Sequence, residues 1–96
     1  MAGYTLTPLA RTDLDEIWTY TVGQWNEEQA ERYIREIEAT IEAVADNSNL
    51  GRACDEIRRG YFKIPSGSHV IFYRRARTKT DIVRILHQRM DVGRRL

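Results

Sequence analysis

Two histidines and several basic residues lie in the part of the sequence that is richest in β-prone residues. His69 and His87 belong to two neighbouring runs of this kind. A histidine can take or give a proton near neutral pH, and a cation can stabilise the charge that develops when a phosphodiester is attacked in line. Lys63, Arg74 and Arg84 could supply that cation. The residue types therefore permit phosphoryl-transfer chemistry with His69 or His87 as the acid or base.

Structural roles are the competing interpretation for these side chains. We expect His69 and His87 to be hydrogen-bonded within a sheet rather than to act as catalysts. Cys54 is followed by Asp55 and Glu56, whose negative charges disfavour a thiolate, so we expect no nucleophilic role for it. One cysteine excludes an internal disulfide, and one cysteine with two histidines is too few for a structural zinc site. We expect no cofactor.

Two β-prone runs joined by a short polar segment predict an antiparallel hairpin. The first run is Ser68 to Arg74, the second is Asp81 to His87, and residues 75–80 connect them. Before this hairpin, residues Ile57 to Ile64 are expected to form a strand that is interrupted at Gly60 and followed by a Pro-Ser-Gly turn.

A first strand and a first helix are predicted near the start of the chain. Residues Tyr4 to Thr7 alternate and read as a strand. The helix begins at Pro8, with the preceding threonine as its N-cap, and is expected to end near Val22 because Gly23 follows. Its apolar stripe is expected to comprise Leu14, Ile17, Trp18 and Thr21.

The second helix has a stronger pattern than the first. Asn26 is a suitable N-cap, and Gln29 stands three residues later. One face stays apolar over about five turns, through Ala30, Tyr33, Ile34, Ile37, Ile41, Val44 and Ala45. The predicted order is β-α-α-β-β-β, a two-layer α+β fold in which a helical hairpin packs on a small, mainly antiparallel sheet.

The formal net charge of +1 conceals an asymmetry between the two halves of the chain. Residues 1–48 contain three Lys/Arg and ten Asp/Glu, a balance of −7, whereas residues 49–96 contain twelve and four, a balance of +8. Most of the basic residues are arginines, whose planar guanidinium suits carboxylates and phosphates. An acidic partner or nucleic acid is therefore indicated. The alternative is that the two halves attract each other within the fold.

Length and hydropathy predict one domain that spans residues 1–96. A chain of 96 residues can bury only a small core. No apolar run approaches the roughly 18 residues of a membrane span, and residues 1–20 lack the basic start and apolar centre of a signal peptide. We therefore expect a cytoplasmic protein with no membrane partner.

Short motifs along nearly the whole chain match one known family. In chain order they are Leu6-Thr7-Pro8-Leu9-Ala10, Asp13-Leu14-Asp15-Glu16-Ile17-Trp18, Gln29-Ala30-Glu31-Arg32-Tyr33, Gly51-Arg52, Ile57-Arg58, Gly60-Tyr61, Gly67-Ser68-His69, Ile71-Phe72-Tyr73-Arg74 and Ile82-Val83-Arg84-Ile85-Leu86-His87-Gln88-Arg89-Met90-Asp91. With these motifs the chain resembles the ParE toxins of bacterial type II toxin–antitoxin modules, within the RelE/ParE superfamily. It departs from the family at Asn26, Ser48 and Phe62, where glycine, proline and a basic residue are frequent.

The resemblance implies a growth-inhibiting toxin that acts on DNA gyrase and traps the cleaved-DNA complex without being an enzyme itself. It also implies that the end of the chain contacts the target. The residues expected to bind the target are Arg89, Met90, Asp91, Arg94, Arg95 and Leu96. The competing interpretation is an ordinary frayed terminus.

The resemblance further implies a ParD-like antitoxin partner in a hetero-oligomer. Such antitoxins pair a ribbon-helix-helix head with a tail that wraps the toxin, so operator DNA is contacted only through the antitoxin. An amphipathic segment is expected to dock between helix and sheet edge, as a helix in a groove or as an added strand. The residues expected to contact it are Trp25, Arg58, Arg59, Tyr61 and Arg74.

Two alternatives remain open. The other branch of the superfamily is similar to RelE and cuts ribosome-bound mRNA; in that case Lys63, Arg84 and His87 would be the catalytic residues. The second alternative is a chain that has lost its toxicity and retains only antitoxin binding.

Overall fold

The structure is a computed structural model that describes residues 3–96. Met1 and Ala2, the first two residues of the segment expected not to be a signal peptide, lie outside the described residues. The described residues form a five-stranded sheet in the order β1-β5-β4-β3-β2, in which β1 runs parallel to β5 and the other neighbours are antiparallel. The elements are β1 (Gly3–Leu6), α1 (Pro8–Gln24), α2 (Glu27–Asp46), β2 (Arg52–Ala53), β3 (Tyr61–Ser66), β4 (His69–Arg75), β5 (Lys79–His87) and a 3-10 helix (Val92–Arg94). The predicted α+β class is confirmed.

Both helices begin where their caps predict. The Thr7 side chain accepts a hydrogen bond from the Ala10 amide, and the Asn26 side chain accepts one from the Gln29 amide. The predicted end of α1 is wrong, because the helix continues through Gly23 to Gln24. A glycine ends a helix by adopting a positive φ, and Gly23 does not have one.

The sheet separates two apolar clusters. The larger lies between the helices and one sheet face and contains Ala10, Ile17, Ile37, Ile41, Val44, Ile71, Tyr73, Ile82 and Ile85. The smaller lies on the opposite face and contains Cys54, Tyr61, Phe72 and Leu86, with Val92 and Leu96 packed against it. Trp18 was expected in the core, but it is 37% exposed. The buried stripe of α1 runs through Ala10, Asp13 and Ile17, which leaves Trp18 at its flank.

The strand predicted from Ile57 to Ile64 is wrong at its start. Residues 54–60 form a turn, and Gly60 ends it with a φ of 83°. The Asp55 carboxylate accepts the Gly60 amide at 2.8 Å, which stabilises this turn. β3 therefore begins at Tyr61. It continues through Pro65, which is tolerated because β2 does not extend along that part of β3.

The hairpin of β4 and β5 is confirmed: β5 ends at His87 as predicted, and the other three boundaries are shifted by one or two residues. A register shift at Phe72 and Tyr73 pairs Phe72 with Arg84 and Tyr73 with Ile82, so Val83 is the extra residue of a bulge. No helix among residues 3–96 is long and apolar enough to cross a membrane.

Candidate functional site

His69 and His87 lie directly opposite each other on β4 and β5. Their ring centroids are 5.4 Å apart and the rings are nearly perpendicular. The His69 Nδ1 atom is 2.6 Å from the hydroxyl of Tyr33, and that hydroxyl accepts the Ser68 amide at 2.9 Å. The Tyr33 hydroxyl also lies 3.5 Å from the Ser66 carbonyl, to which it can donate, so it can hydrogen-bond to His69 in either tautomer of the imidazole. Burial, followed by the nearby His87, lowers the pKa of His69.

Both histidines are hydrogen-bonded as predicted, but neither partner lies in the sheet, since Tyr33 belongs to α2 and Arg89 follows β5. The His87 Nδ1 atom accepts the Arg89 amide at 3.1 Å. The turn before β4 helps to orient the pair, since Gly67 has a φ of 59° and a Cβ there would lie 2.6 Å from the ring of Tyr33. Only glycine fits at this close approach.

A groove runs beside the two imidazoles, between α1 and the end of the β4–β5 hairpin. It consists of two adjoining clefts of about 430 and 470 Å³ that share Tyr20, His69 and His87. The first cleft extends to Met90 and the second to Trp25. The side chains of Tyr20, Trp25 and Met90 are 68%, 73% and 40% exposed. We call this surface the aromatic groove. Tyr20 was missed by the sequence analysis because it does not lie on the predicted stripe of α1.

The N-terminal half of α1 covers the edge of β5 beyond the end of β1. The last β1–β5 pair is Leu6 with Ile82. Past this point the Thr7 hydroxyl donates to the Val83 carbonyl at 2.7 Å, and Asp13 accepts the Ile85 amide at 2.9 Å. The backbone groups of the strand edge are thereby satisfied by side chains of the helix.

Asp13 also binds Arg84 through two parallel hydrogen bonds. The distances are 2.8 Å from Nε to Oδ2 and 2.8 Å from Nη2 to Oδ1, and the two side chains are only 7% and 13% exposed. Hydrogen bonding to Asp13 raises the pKa of Arg84. The remaining Nη1 atom donates to the backbone carbonyl of Arg95 at 3.1 Å. Arg84 therefore links α1, β5 and the end of the chain.

The residues after β5 form a docked segment. Val92 and Leu96 pack on the smaller apolar cluster, and the Asp91 carboxylate accepts the Gly93 amide at 3.2 Å. The frayed-terminus interpretation does not fit this packing. Arg89, Met90, Asp91, Arg94 and Arg95 are exposed. The C-terminal segment, residues 91–96, thus combines two apolar anchors with an exposed basic surface.

Comparison with protein-family models finds a match that covers most of the chain. Residues 4–92 match the model described as "ParE toxin of type II toxin-antitoxin system, parDE". The chain belongs to the ParE toxin family.

Curated relatives extend this result over nearly the full length. The chain is 52% identical over 94 residues to "Toxin ParE1" of Mycobacterium tuberculosis, covering 97% of this chain and 96% of that protein. It is 45% identical over 91 residues to "Toxin ParE1" of Caulobacter vibrioides, covering 95% and 94%. A solved structure titled "Chromosomal ParDE TA system from P. aeruginosa" has the same fold, with a TM-score of 0.79, 20% identity and coverage of 91% and 96%. The predicted family is confirmed.

The residues of the RelE-type alternative are not brought into one site in this ParE-family chain. Lys63 is paired with Phe72, and Phe72 with Arg84, so these residues lie in one row on the sheet face opposite the helices. His87 is opposite His69 and lines the aromatic groove beside α1. The guanidinium of Arg84 is in turn held by Asp13.

The residues expected to contact an antitoxin lie in two places. Trp25 is at the end of α1, near the start of β4. Tyr61 and Arg74 are directly paired at the other end of β4. Tyr61 is buried, and the guanidinium of Arg58 lies 5.3 Å from the centre of its ring. Arg59 is exposed, and Arg74 binds Asp81 at 3.1 Å while remaining half exposed.

Cys54 lies on the far side of the sheet from the aromatic groove. It is fully buried in the smaller cluster. Burial, then the negative charges of Glu56 and Asp55, raise the pKa of its thiol, while Lys63 lowers it. This agrees with the expectation that the cysteine is not a nucleophile.

Proposed function

We propose that this ParE-family chain is the toxin of a type II module, that it inhibits DNA gyrase by trapping the cleaved-DNA complex, and that a ParD-like antitoxin neutralises it. Family membership supports the general role. The observation that carries the proposal is the C-terminal segment, whose apolar residues are anchored on the sheet while its arginines face solvent.

Arginines suit the proposed target chemically. A guanidinium binds carboxylates and phosphates through two parallel hydrogen bonds, and a cleaved-DNA complex presents both groups. Arg89, Arg94 and Arg95 are exposed, together with the apolar side chain of Met90. The surface resembles a docking site with basic and apolar contacts. In this proposal it binds the target and breaks no bond of its own.

The aromatic groove is the proposed docking site for an amphipathic antitoxin segment. Exposed aromatic side chains beside a concave surface are typical anchors of protein interfaces. Trp25 would be one anchor. A second part of the antitoxin would pass over the far end of β4, where it would cover Arg58, Arg59, Tyr61 and Arg74. Operator DNA would be reached through the antitoxin alone.

The target surface is tested by replacing its arginines without removing the segment. In Arg94→Ala with Arg95→Ala the backbone carbonyl of residue 95, Val92 and Leu96 all stay in place. We expect loss of growth inhibition and of gyrase-dependent DNA cleavage, with antitoxin affinity unchanged. Arg32→Ala with Arg35→Ala is the matched control, because it removes two exposed arginines of α2 that form only surface ion pairs. A double variant as toxic as the parent chain at equal expression would refute the proposed surface.

The antitoxin site is tested at Trp25. Trp25→Ala should weaken antitoxin binding by about 30-fold or more, which is about 2 kcal/mol for an interface anchor. The stability of the free toxin should hardly change, since this side chain is 73% exposed. Leu9→Ala is the control, because Leu9 is 57% exposed and does not line the groove. Titration calorimetry that finds equal affinities for the two variants would exclude Trp25 as an anchor.

The two alternatives are distinguished with the same preparations. RNA cleavage that is lost in His87→Gln would support the RelE-type endonuclease. Absence of both gyrase poisoning and RNA cleavage, together with tight antitoxin binding, would support a chain without toxicity.

A further inference from the structure

Arg84 is a single side chain that joins three parts of the molecule. Its Nε and Nη2 atoms bind the carboxylate of Asp13 on α1, and its Nη1 atom binds the carbonyl of Arg95 in the C-terminal segment. The side chain itself comes from β5. Asp13 is fixed independently, because it also accepts the backbone amide of Ile85. Asp13 therefore defines the orientation of the guanidinium independently of the contact that Arg84 makes with the end of the chain.

The C-terminal segment has few other contacts that could define its position. Its regular structure is a three-residue 3-10 helix, Val92–Arg94, and a helix of this length is not stable by itself. Val92 and Leu96 are only partly buried on the smaller cluster. Apolar contacts of this kind are not directional, whereas a hydrogen bond from a charged donor fixes both a distance and an angle.

We infer that Arg84, oriented by Asp13, is a positioning residue for the C-terminal segment, and that toxic action depends on the position it maintains. The inference rests on the proposed function, because it takes residues 91–96 as part of the surface that meets the target. Arg84 acts through the segment and does not itself contact the target. This role accounts for a nearly buried ion pair whose third hydrogen bond goes to the last residues of the chain.

The test uses variants that alter the geometry of the pair while preserving its charge or its shape. A lysine at position 84 is a point charge on a flexible stem and cannot bind both carboxylate oxygens and the Arg95 carbonyl in the same geometry. Arg84→Lys is therefore the main variant. Asp13→Asn is the second variant: its amide oxygen can still accept the Ile85 amide, and Arg84 keeps its bond to the Arg95 carbonyl while losing one of its two carboxylate acceptors. Arg35→Lys and Glu31→Gln make the same chemical changes in an exposed pair on α2 and serve as controls.

Amide hydrogen exchange of the purified toxin reports the position of the segment directly. The Arg95 amide donates to the Val92 carbonyl at 2.9 Å, so its exchange rate measures the opening of the 3-10 helix. We expect exchange at residues 92–96 to rise about tenfold in Arg84→Lys, and less in Asp13→Asn, with β4 unaffected. We expect the same order in the loss of growth inhibition, with antitoxin affinity retained. Both controls should match the parent chain.

Three results would decide against the inference or the proposal on which it rests. Unchanged exchange at residues 92–96 in both Arg84→Lys and Asp13→Asn would show that Arg84 does not position the segment. Faster exchange with full toxicity, while the Arg94→Ala/Arg95→Ala variant is harmless, would show that the position is irrelevant to action. Full toxicity of the Arg94→Ala/Arg95→Ala variant would instead refute the target surface, and the exchange data would still decide whether Arg84 holds the segment. Should Arg84→Lys fail to unfold cooperatively, Asp13→Asn provides the same three comparisons.

Discussion

Asp13→Ala should be among the most destabilising single substitutions in this chain. It removes the acceptor for two guanidinium hydrogen bonds and for the Ile85 amide. Arg84, which is 13% exposed in the parent chain, then keeps only the Arg95 carbonyl as a hydrogen-bond partner. Breaking one side of a buried ion pair costs about 3–5 kcal/mol, because the remaining charge is left without a partner. For a domain of this size each kcal/mol lowers the melting temperature by roughly 4–8 °C, so a decrease of about 12 °C or more is expected.

A variant that lacks both Asp13 and Arg84 distinguishes the cost of an unpaired buried charge from a simple loss of contacts. Arg84→Met leaves the Asp13 carboxylate, 7% exposed, with the Ile85 amide as its remaining partner, and should cost about as much as Asp13→Ala. Combining Asp13→Ala with Arg84→Met removes both charges and leaves chiefly the Ile85 amide unsatisfied, at a cost of about 1–3 kcal/mol. The double variant should therefore be more stable than either single variant.

Urea unfolding of the four proteins gives the free energies of this cycle. The exposed pair of Arg35 and Glu31 is the control, and its single variants should each change the unfolding free energy by less than about 0.5 kcal/mol. Costs below about 1 kcal/mol for Asp13→Ala, or a double variant whose cost equals the sum of the two singles, would refute the buried-pair reasoning.

Two further predictions concern the turn and the histidine beside the aromatic groove. Gly67→Ala should lower the unfolding free energy by about 2 kcal/mol or more, since the residue has a φ of 59° and its Cβ would meet Tyr33 at 2.6 Å. Gly23→Ala should instead stabilise α1 by about 0.5–1 kcal/mol, because a Cβ there would meet no packed side chain or other element within 4 Å. Equal melting temperatures of the two variants would contradict both expectations. Burial and His87 lower the pKa of His69, so below about pH 6.5 the unfolded chain binds a proton there that the folded chain does not. The unfolding free energy should therefore fall as the pH decreases from about 6.5 toward the pKa of His69 in the folded chain. Urea unfolding at several pH values should show a smaller fall in His69→Gln than in the parent chain. An identical pH dependence of the two proteins would count against a lowered pKa of His69.

Signals that act over three or four residues predicted the structure best. The caps at Thr7 and Asn26 depend on an amide three residues later, and both are formed. The start of β3 was mispredicted because it depends on pairing with β4, which lies later in the chain, and on the φ of Gly60. The exposure of Trp18 was mispredicted for a related reason. The orientation of α1 is set by its contact with the edge of β5, which no local pattern encodes.

The Asp13–Arg84 pair could not be predicted because its members are 71 residues apart. The stripe predicted for α1 did not include Asp13, which is seen to need a buried partner only once the buried stripe is known to run through Ala10, Asp13 and Ile17. The composition offered many arginines as candidates and gave no means to choose among them. The sequence therefore identified Arg84 as a possible cation for catalysis, whereas in the structure its guanidinium is occupied by Asp13 and Arg95.

The ion pairs also bear on the charge asymmetry between the two halves of the chain. Among residues 3–96, the pairs on α2 lie within the acidic half, and those of Arg74 with Asp81 and of Arg94 with Asp91 lie within the basic half. In that part of the chain the pair of Asp13 and Arg84 is the one salt bridge that joins the halves. Direct pairing between the halves therefore neutralises little of the +8 balance of residues 49–96. Most of that charge remains at the surface, where it can attract an acidic partner, and screening by salt should weaken such an attraction more than it weakens the fold.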